Sequence, residues 1–304
     1  MRQPLTRSEL LKKRLDAFTR VLKGLEHGEV RALHRARVAS RRLRELVPVL
    51  QLNSGASRKL VRRLRRVTTR LGTVRELDVL LLSIDELHVS RRDRTTALGR
   101  VGVAVSKDRD RARKRLAARL PMTEIRRLAK KLDRVVADLR VTDAAASRAA
   151  AKSWRWAVDA RVSRRATQLS DAIRSAGAVY LTERLHVVRI ALKKLRYALE
   201  LADEVAGTRG DAELRTLKRG QDLLGRMHDL QMLTERVRQE QASLATPTLA
   251  EWRDLDALVV SLENDCRRLH ARYMRLRDAL AAIADGVNGR GHVAPARAAA
   301  RRAG

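Results

Sequence analysis

A histidine followed by a ladder of arginines and lysines occurs twice in the chain. The segments LHRARVASRRLR, which begins at Leu33, and LHVVRIALKKLR, which begins at Leu185, align without a gap. Imidazole donates a hydrogen bond to a phosphate oxygen, and a guanidinium group binds phosphate through two parallel hydrogen bonds. The pattern therefore indicates a site for a phosphate-bearing anion.

A helical wheel separates the charged and apolar residues of both segments. With about 100° between successive residues, the cationic face of the first segment carries His34, Arg37, Arg41 and Arg44. The same places in the second segment hold His186, Arg189, Lys193 and Arg196. The opposite faces are apolar and put Leu43 and Leu195 at matching core positions. Because like charges one turn apart weaken an isolated helix, the repeated cationic face favours a bound anion.

Other roles are open to the two histidines. A structural histidine, hydrogen-bonded where helices cross, is the ordinary alternative. A metal site is disfavoured, because neighbouring guanidinium groups repel a divalent cation. In addition, no carboxylate or cysteine follows His34 or His186 at the third or fourth position.

The composition indicates a polyanionic partner without identifying it. The 304-residue chain has 67 lysines and arginines against 35 acidic residues, a formal net charge of +32. Such a field attracts polyanions and binds them by displacing their counterions. Cys266 is the single cysteine, so no internal disulfide is possible. We expect neither a metal nor a cofactor. No apolar run suggests a membrane span or a secretory signal, which favours a cytoplasmic protein.

The hydrophobic periodicity is helical almost throughout, and it predicts an all-α fold. The predicted helices cover Ser8–His27, Val30–Leu52, Ser57–His88, Arg91–Arg119, Thr123–Arg140, Ala144–Ser175, Thr182–Val205, Asp211–Ala245 and Ala250–Ala284. The segment from Gly286 to Gly304 has no large apolar residue other than valine, so we expect a disordered basic tail over residues 286–304.

A second pair of matching blocks indicates an internal duplication. The block LRRVTTRLGTVRELDVL, from Leu64, aligns with LKRGQDLLGRMHDLQML, from Leu217, in the same order and at almost the same spacing as the first pair. We therefore expect two homologous antiparallel four-helix bundles related by a pseudo-twofold axis. The first repeat is predicted over about residues 5–142 and the second over about 150–285.

These motifs resemble the CHAD domain, the conserved histidine α-helical domain. Each half carries H-x-x-R-x-x-x-[RK]-[RK]-L-R and then L-G-x-x-[RH]-[DE]. The residues expected to form the site are His34, Arg37, Arg41, Arg42, Arg44, Arg66, Arg75, His186, Arg189, Lys193, Lys194, Arg196, Arg219 and His228. One departure is Glu76, where aspartate is more usual, which leaves its helix-capping or arginine-orienting role in question.

The resemblance implies a module that binds inorganic polyphosphate in a basic central cavity and on the surface beside it. It also implies an association with polyphosphate granules. Some relatives fuse this domain to a triphosphate-tunnel enzyme, but the E-x-E-x-K signature of that enzyme is missing, so the stand-alone form is expected.

The residues give less support to two alternative functions, catalysis and nucleic-acid binding. Phosphate-binding glycine loops, H-E-x-x-H and G-x-S-x-G are all missing, so we do not expect an enzyme. Cys266 shares a helical face with Leu262 and Leu269, which is typical of a core position. The run from Arg58 to Arg75 holds eight cations and no acid, which would suit a nucleic-acid backbone. Because aromatic residues are scarce, we expect only weak, sequence-independent nucleic-acid binding at low salt.

Overall fold

The computed structural model describes residues 5–90, 95–208, 210–244 and 248–300. Over these ranges the chain forms the helices α1 (Arg7–Thr19), α2 (Leu22–Glu26), α3 (Val30–Leu46), α4 (Ser54–Ser90), α5 (Thr95–Arg119), α6 (Met122–Ala144), α7 (Arg148–Ala176), α8 (Thr182–Ala206), α9 (Asp211–Ala242) and α10 (Leu249–Ala300). No strand is found in the described ranges, so the all-α prediction is confirmed. None of the helices described is long and apolar enough to cross a membrane.

Two helices predicted to be continuous are broken. The segment predicted as Ser8–His27 forms α1 and the short α2, and Gly28 then reverses the chain with a φ of 73°, a conformation that glycine adopts without strain. The segment predicted to run to Leu52 leaves the α-helix after Leu46 and forms a 3-10 turn over Val47–Val49. Pro48 lies in this turn and has no N–H with which to continue the helix.

The first part of the predicted tail is helical in the structure. Helix α10 continues past Gly286 to Ala300, and Val287 is buried with 6% of its surface exposed. This valine packs into the same core as Leu280 and Ala284, which stabilises the additional helical turn. Residues 301–304 of the predicted tail lie outside the described residues.

The buried apolar residues form two clusters. One is built mainly by α1, α3, the first part of α4 and α6, and it contains Leu43. The other is built mainly by α7, α8, α9, α10 and the last part of α4, and it contains Leu195. Both leucines have 0% exposure, as the helical wheel predicts, and Cys266 is buried in the second cluster. The pseudo-twofold relationship between the halves stays a prediction.

The helices that carry the repeated motifs contact one another across the two halves of the chain. Helix α3 contacts α8, and α4 contacts α9. Each contact pairs a motif of the first half with its copy in the second. The cationic residues of both halves are therefore placed around one region.

Candidate polyanion-binding site

The central cluster consists of histidines and cations from the four motif helices: His34, Arg37 and Arg41 on α3, Arg75 on α4, His186, Arg189 and Lys193 on α8, and His228 on α9. These residues influence one another electrostatically across the helix contacts. Arg37 and Arg41 both lie close enough to Lys193 to lower its pKa, although they belong to different halves of the chain. Eight of the fourteen residues predicted for the site therefore come together.

Lys193 shows how strongly positive this region is. Its pKa falls from 10.5 to about 7, first because the amine is buried and then because Arg189, Arg41 and Arg37 are near. Within the part of the chain that the structure describes, neither Lys193 nor Arg41 has a carboxylate within ion-pair distance. A buried cation without an anionic partner is costly, so the cluster favours a bound anion.

Arg37 and Arg189 occupy matching places in the two halves. Burial is the largest cause of the fall in the pKa of Arg37, to about 10, and burial also lowers the pKa of Arg189. The Nε atom of each is buried and makes no hydrogen bond to any described residue. Arg37 approaches α4 at Gly72, where an added Cβ would lie 3.5 Å from its guanidinium group. These arginines therefore retain unused donors beside the motif helices.

A cavity of about 290 Å³ opens between α8 and α9 next to these residues. Its wall is formed by Arg189, Lys193, Gln221, Asp222, Gly225, Arg226 and Asp229. An added Cβ at Gly225 would meet nothing within 4 Å, so a ligand could approach the α9 backbone there. This basic cavity belongs to the second half, whereas a cavity shared by both halves stays a prediction.

The three histidines of the central cluster are neutral at pH 7 in the absence of a ligand. Burial, followed by the charge of Arg189, lowers the pKa of His228 to about 4. Burial is also the first cause of the lowered pKa of His34 and of His186. The rings of His186 and His228 lie 4.9 Å apart, centroid to centroid. No hydrogen bond joins any of the three to another described residue, which leaves their donors available to a phosphate oxygen.

Arg75 lies near two acidic residues. Asp78 on α4 and Asp229 on α9 both oppose the lowering of the Arg75 pKa that burial causes. Asp78 is buried, and its Oδ1 lies 3.7 Å from Nη2 of Arg113. The two aspartates therefore partly offset the positive charge of Arg75.

Arg42 and Arg196 are predicted site residues that are already paired. Nη2 of Arg42 donates to Oε2 of Glu200 at 3.0 Å, and Arg196 pairs with the same carboxylate. Their guanidinium groups lie 5.9 Å and 4.9 Å from the ring centroid of Tyr197. This cluster joins α3 to α8 and leaves less charge for a ligand than the central cluster does.

Arg44 and Lys194 border a second charged group that the sequence analysis missed. Glu45 is buried, and it accepts hydrogen bonds from Nη2 of Arg161 at 2.5 Å and from Nη2 of Arg165 at 3.1 Å. Burial, then the charge of Arg165, lowers the pKa of Lys194. The spacing of Arg161 and Arg165 along one helical face was the available signal, but α7 carries no copy of the motif that would connect them to the site.

Arg66 and Arg219 are not brought into the central cluster. Arg66 is exposed and lies 3.3 Å from Glu124 of α6. Arg219 is exposed beside a surface cavity that Arg272 and Arg275 of α10 also line. Both residues face solvent at the ends of α4 and α9 that precede the L-G motifs.

The fold and the site together define an all-α protein in which paired His/Arg/Lys helices converge. The chain belongs to the CHAD domain family, whose model matches residues 9–238. It is similar to the crystal structure of the CHAD domain from the plant Ricinus communis, with a TM-score of 0.65 and 23% identity over 92% of this chain and 94% of that one. It is also similar to PptA from Streptomyces chartreusis, with a TM-score of 0.58 and 19% identity over 89% of this chain and 97% of that one. A comparison with curated protein sequences gave no significant match.

Proposed function

We propose that this protein binds inorganic polyphosphate, with a phosphate chain lying against the central cluster. The observation that carries the proposal is the convergence of Arg37, Arg41, Arg189 and Lys193 from the two halves without enough acidic partners. Phosphate oxygens accept hydrogen bonds from arginine and lysine and supply the missing negative charge. The membership in the CHAD family agrees with this ligand.

The path of the cations favours a chain over a single phosphate. From Arg75 and His34 the positive groups continue along α3 through Arg37 and Arg41 to Arg44. A single phosphate can contact only a few of these side chains, whereas a linear polymer can contact them in succession. In this proposal the two halves form pseudo-symmetric bundles around a basic central cavity through which the chain runs.

Binding without catalysis is part of the proposal, as is a location in the cytoplasm on polyphosphate granules. The charged groups described here neutralise and position an anion, and the motifs of common hydrolases are missing from the sequence. Incubated with the protein, long-chain polyphosphate is expected to keep its length. Release of orthophosphate in proportion to the protein added would contradict the absence of catalysis.

Nucleic acid is the competing ligand, because α4 exposes a cationic surface outside the central cluster. This surface consists of Arg58, Lys59, Arg62, Arg63, Arg65 and Arg66. The decisive experiment is a competition for the protein at physiological salt among long-chain polyphosphate, duplex DNA and RNA, at equal phosphate concentration. We expect polyphosphate to displace both nucleic acids. Preferential binding of DNA or RNA would overturn the proposal.

A further inference from the structure

A second and larger cavity follows the basic cavity along the groove between α8 and α9. It has a volume of about 850 Å³, and α10 closes its far side. His186 and His228 line it, while Arg189 and Lys193, one and two turns further along α8, line the basic cavity. The two cavities therefore lie one after the other along α8 and α9, with the histidine pair on the wall of the larger cavity.

The larger cavity has a different chemistry from its neighbour. Val187 and Met232 line it with 55% and 39% of their surfaces exposed, which leaves apolar area uncovered. Its hydrogen-bonding groups include the carboxylates of Glu183 and Glu235 and the amide of Gln231. These carboxylates repel a phosphate chain but accept hydrogen bonds from hydroxyl and amino groups.

Two arginines also line the larger cavity, but both lie close to a carboxylate that offsets their positive charge. Arg238 pairs with Glu263, and Nη2 of Arg267 lies 3.7 Å from the same carboxylate. The volume lies within the range of about 300–1,000 Å³ that is usual for small-molecule sites. A ligand that fills both cavities must therefore join a phosphate chain to an uncharged organic group with apolar faces and hydrogen-bond donors.

We propose that the groove takes nucleoside 5′-polyphosphates, with the phosphate chain against Arg189 and Lys193 and the nucleoside in the larger cavity. The phosphate half of this assignment rests on the proposed function. The base supplies flat apolar faces to Val187 and Met232, and the ribose hydroxyls and base amino groups supply donors to the carboxylates. The histidine pair lies where the phosphate chain joins the ribose.

The test compares adenosine 5′-tetraphosphate with inorganic tetraphosphate by isothermal titration calorimetry on the full chain. Charge alone favours the inorganic ligand, because it carries at least as much negative charge on the same number of phosphates. We expect the adenosine ligand to bind about tenfold more tightly, which corresponds to about 1.4 kcal/mol from the apolar contacts of the base.

A matched pair of double variants locates the effect. V187Q/M232Q removes apolar surface from the larger cavity, whereas V141Q/L249Q removes exposed apolar surface elsewhere, on α6 and at the start of α10. The cavity variant should lose the preference and keep its affinity for inorganic tetraphosphate, and the control should keep both. Thermal melting checks that each variant is folded.

Several results would overturn the inference. One is equal affinity of the wild-type protein for the two tetraphosphates. Another is a preference for the adenosine ligand that persists in V187Q/M232Q. Binding of long-chain polyphosphate without binding of adenosine tetraphosphate would also overturn it, but would leave the proposed function standing. Failure of every phosphate ligand to bind would instead overturn the proposed function.

Discussion

Oε1 of Glu76 lies 3.7 Å from Nη2 of Arg37, and this pair joins α4 to α3 inside the central cluster. The carboxylate is 58% exposed. Its negative charge also opposes the lowering of the pKa of His186 and of Arg189 in the other half. Glu76 is therefore an internal anion that partly neutralises the residues proposed to hold phosphate.

Replacement of this carboxylate should strengthen polyphosphate binding. Glu76→Gln removes one negative charge that competes with the ligand, and we expect an affinity gain of about two- to fivefold, as for a largely exposed ion pair. Glu26→Gln is the matched control, since Glu26 pairs with Arg126 away from the site. Fluorescence anisotropy with labelled polyphosphate measures both. Equal gains in the two variants would point to the net charge of the protein instead.

Charge-reversal variants distinguish binding at the central cluster from attraction by the net charge of the protein. R37E/R189E and R134E/R140E both lower the formal net charge from +32 to +28. Arg134 and Arg140 are exposed on α6, outside the cluster. We expect the cluster variant to lose at least about a hundredfold in polyphosphate affinity, because each charged hydrogen bond to phosphate contributes roughly 1.5 to 3 kcal/mol. The control should lose much less.

Thermal melting must accompany this comparison. The two new carboxylates relieve the repulsion from Arg41 and Lys193 but lie near Glu76 and Asp229, so the stability of each variant is measured before the affinities are compared. Equal losses of affinity in two folded variants would show that the paired motifs do not form a specific site.

The low pKa of Lys193 predicts a pH dependence. The charged groups that act on its amine are Arg189 and Arg196 on α8, Arg37 and Arg41 on α3, and Asp229 on α9. A bound polyanion raises the pKa of Lys193 above its value of about 7 in the unliganded protein. Above pH 7, binding is therefore accompanied by uptake of a proton. Affinity should therefore fall as the pH rises from 7 to 9, by up to about tenfold per pH unit.

The variant Lys193→Arg keeps its charge over this range and serves as the control. At constant ionic strength its affinity should change much less between pH 7 and 9, although the ligand titrates identically. In the unliganded wild-type protein the folded state binds fewer protons than the unfolded state between pH 7 and 10.5, so this residue makes stability rise with pH there. Parallel affinity profiles for the two proteins would exclude Lys193 as the titrating group.

Glu45 is expected to matter for stability. Burial tends to raise its pKa, but the charges of Arg161 and Arg165 outweigh burial and lower it. Glu45→Gln leaves two half-buried guanidinium groups without their carboxylate and should cost about 3–5 kcal/mol in the free energy of unfolding. Urea denaturation at pH 7 measures this. The contribution of the Glu45 carboxylate to stability should fade as the pH falls below about 4.5. A Glu45→Gln variant as stable as the wild-type protein at pH 7 would contradict this account.

The sequence predicted the parts of the site that follow from helical periodicity. The repeat and the wheel placed Arg37 and Arg189 opposite Leu43 and Leu195, and the buried leucines confirm this division of each helix. Periodicity assigns a residue to a face but says nothing about which faces meet. The pairing of Arg42 with Glu200 depends on the contact between α3 and α8, which only the tertiary structure defines.

The errors have local physical causes. Val287 extends the buried face of α10 into the segment predicted as a tail, and a count of apolar residues does not reveal this contact. Arg66 and Arg219 match each other in the two copies, but they lie about two and a half turns before Arg75 and His228 on helices that carry them away from the cluster. Acidic residues beside the site, such as Asp229, come close to its arginines only because the helices pack together, and no sequence motif identifies them.

Helices α4 and α8 each contribute to both hydrophobic clusters. Leu60 and Ile84 of α4 lie in different clusters, as do Leu195 and Leu201 of α8. A chain cut between α6 and α7 would leave each fragment with apolar residues whose partners are on the other. The two halves of the chain are thus interdependent for folding, and one cooperative unfolding transition should report the loss of both cores together with the contacts of α3 with α8 and of α4 with α9.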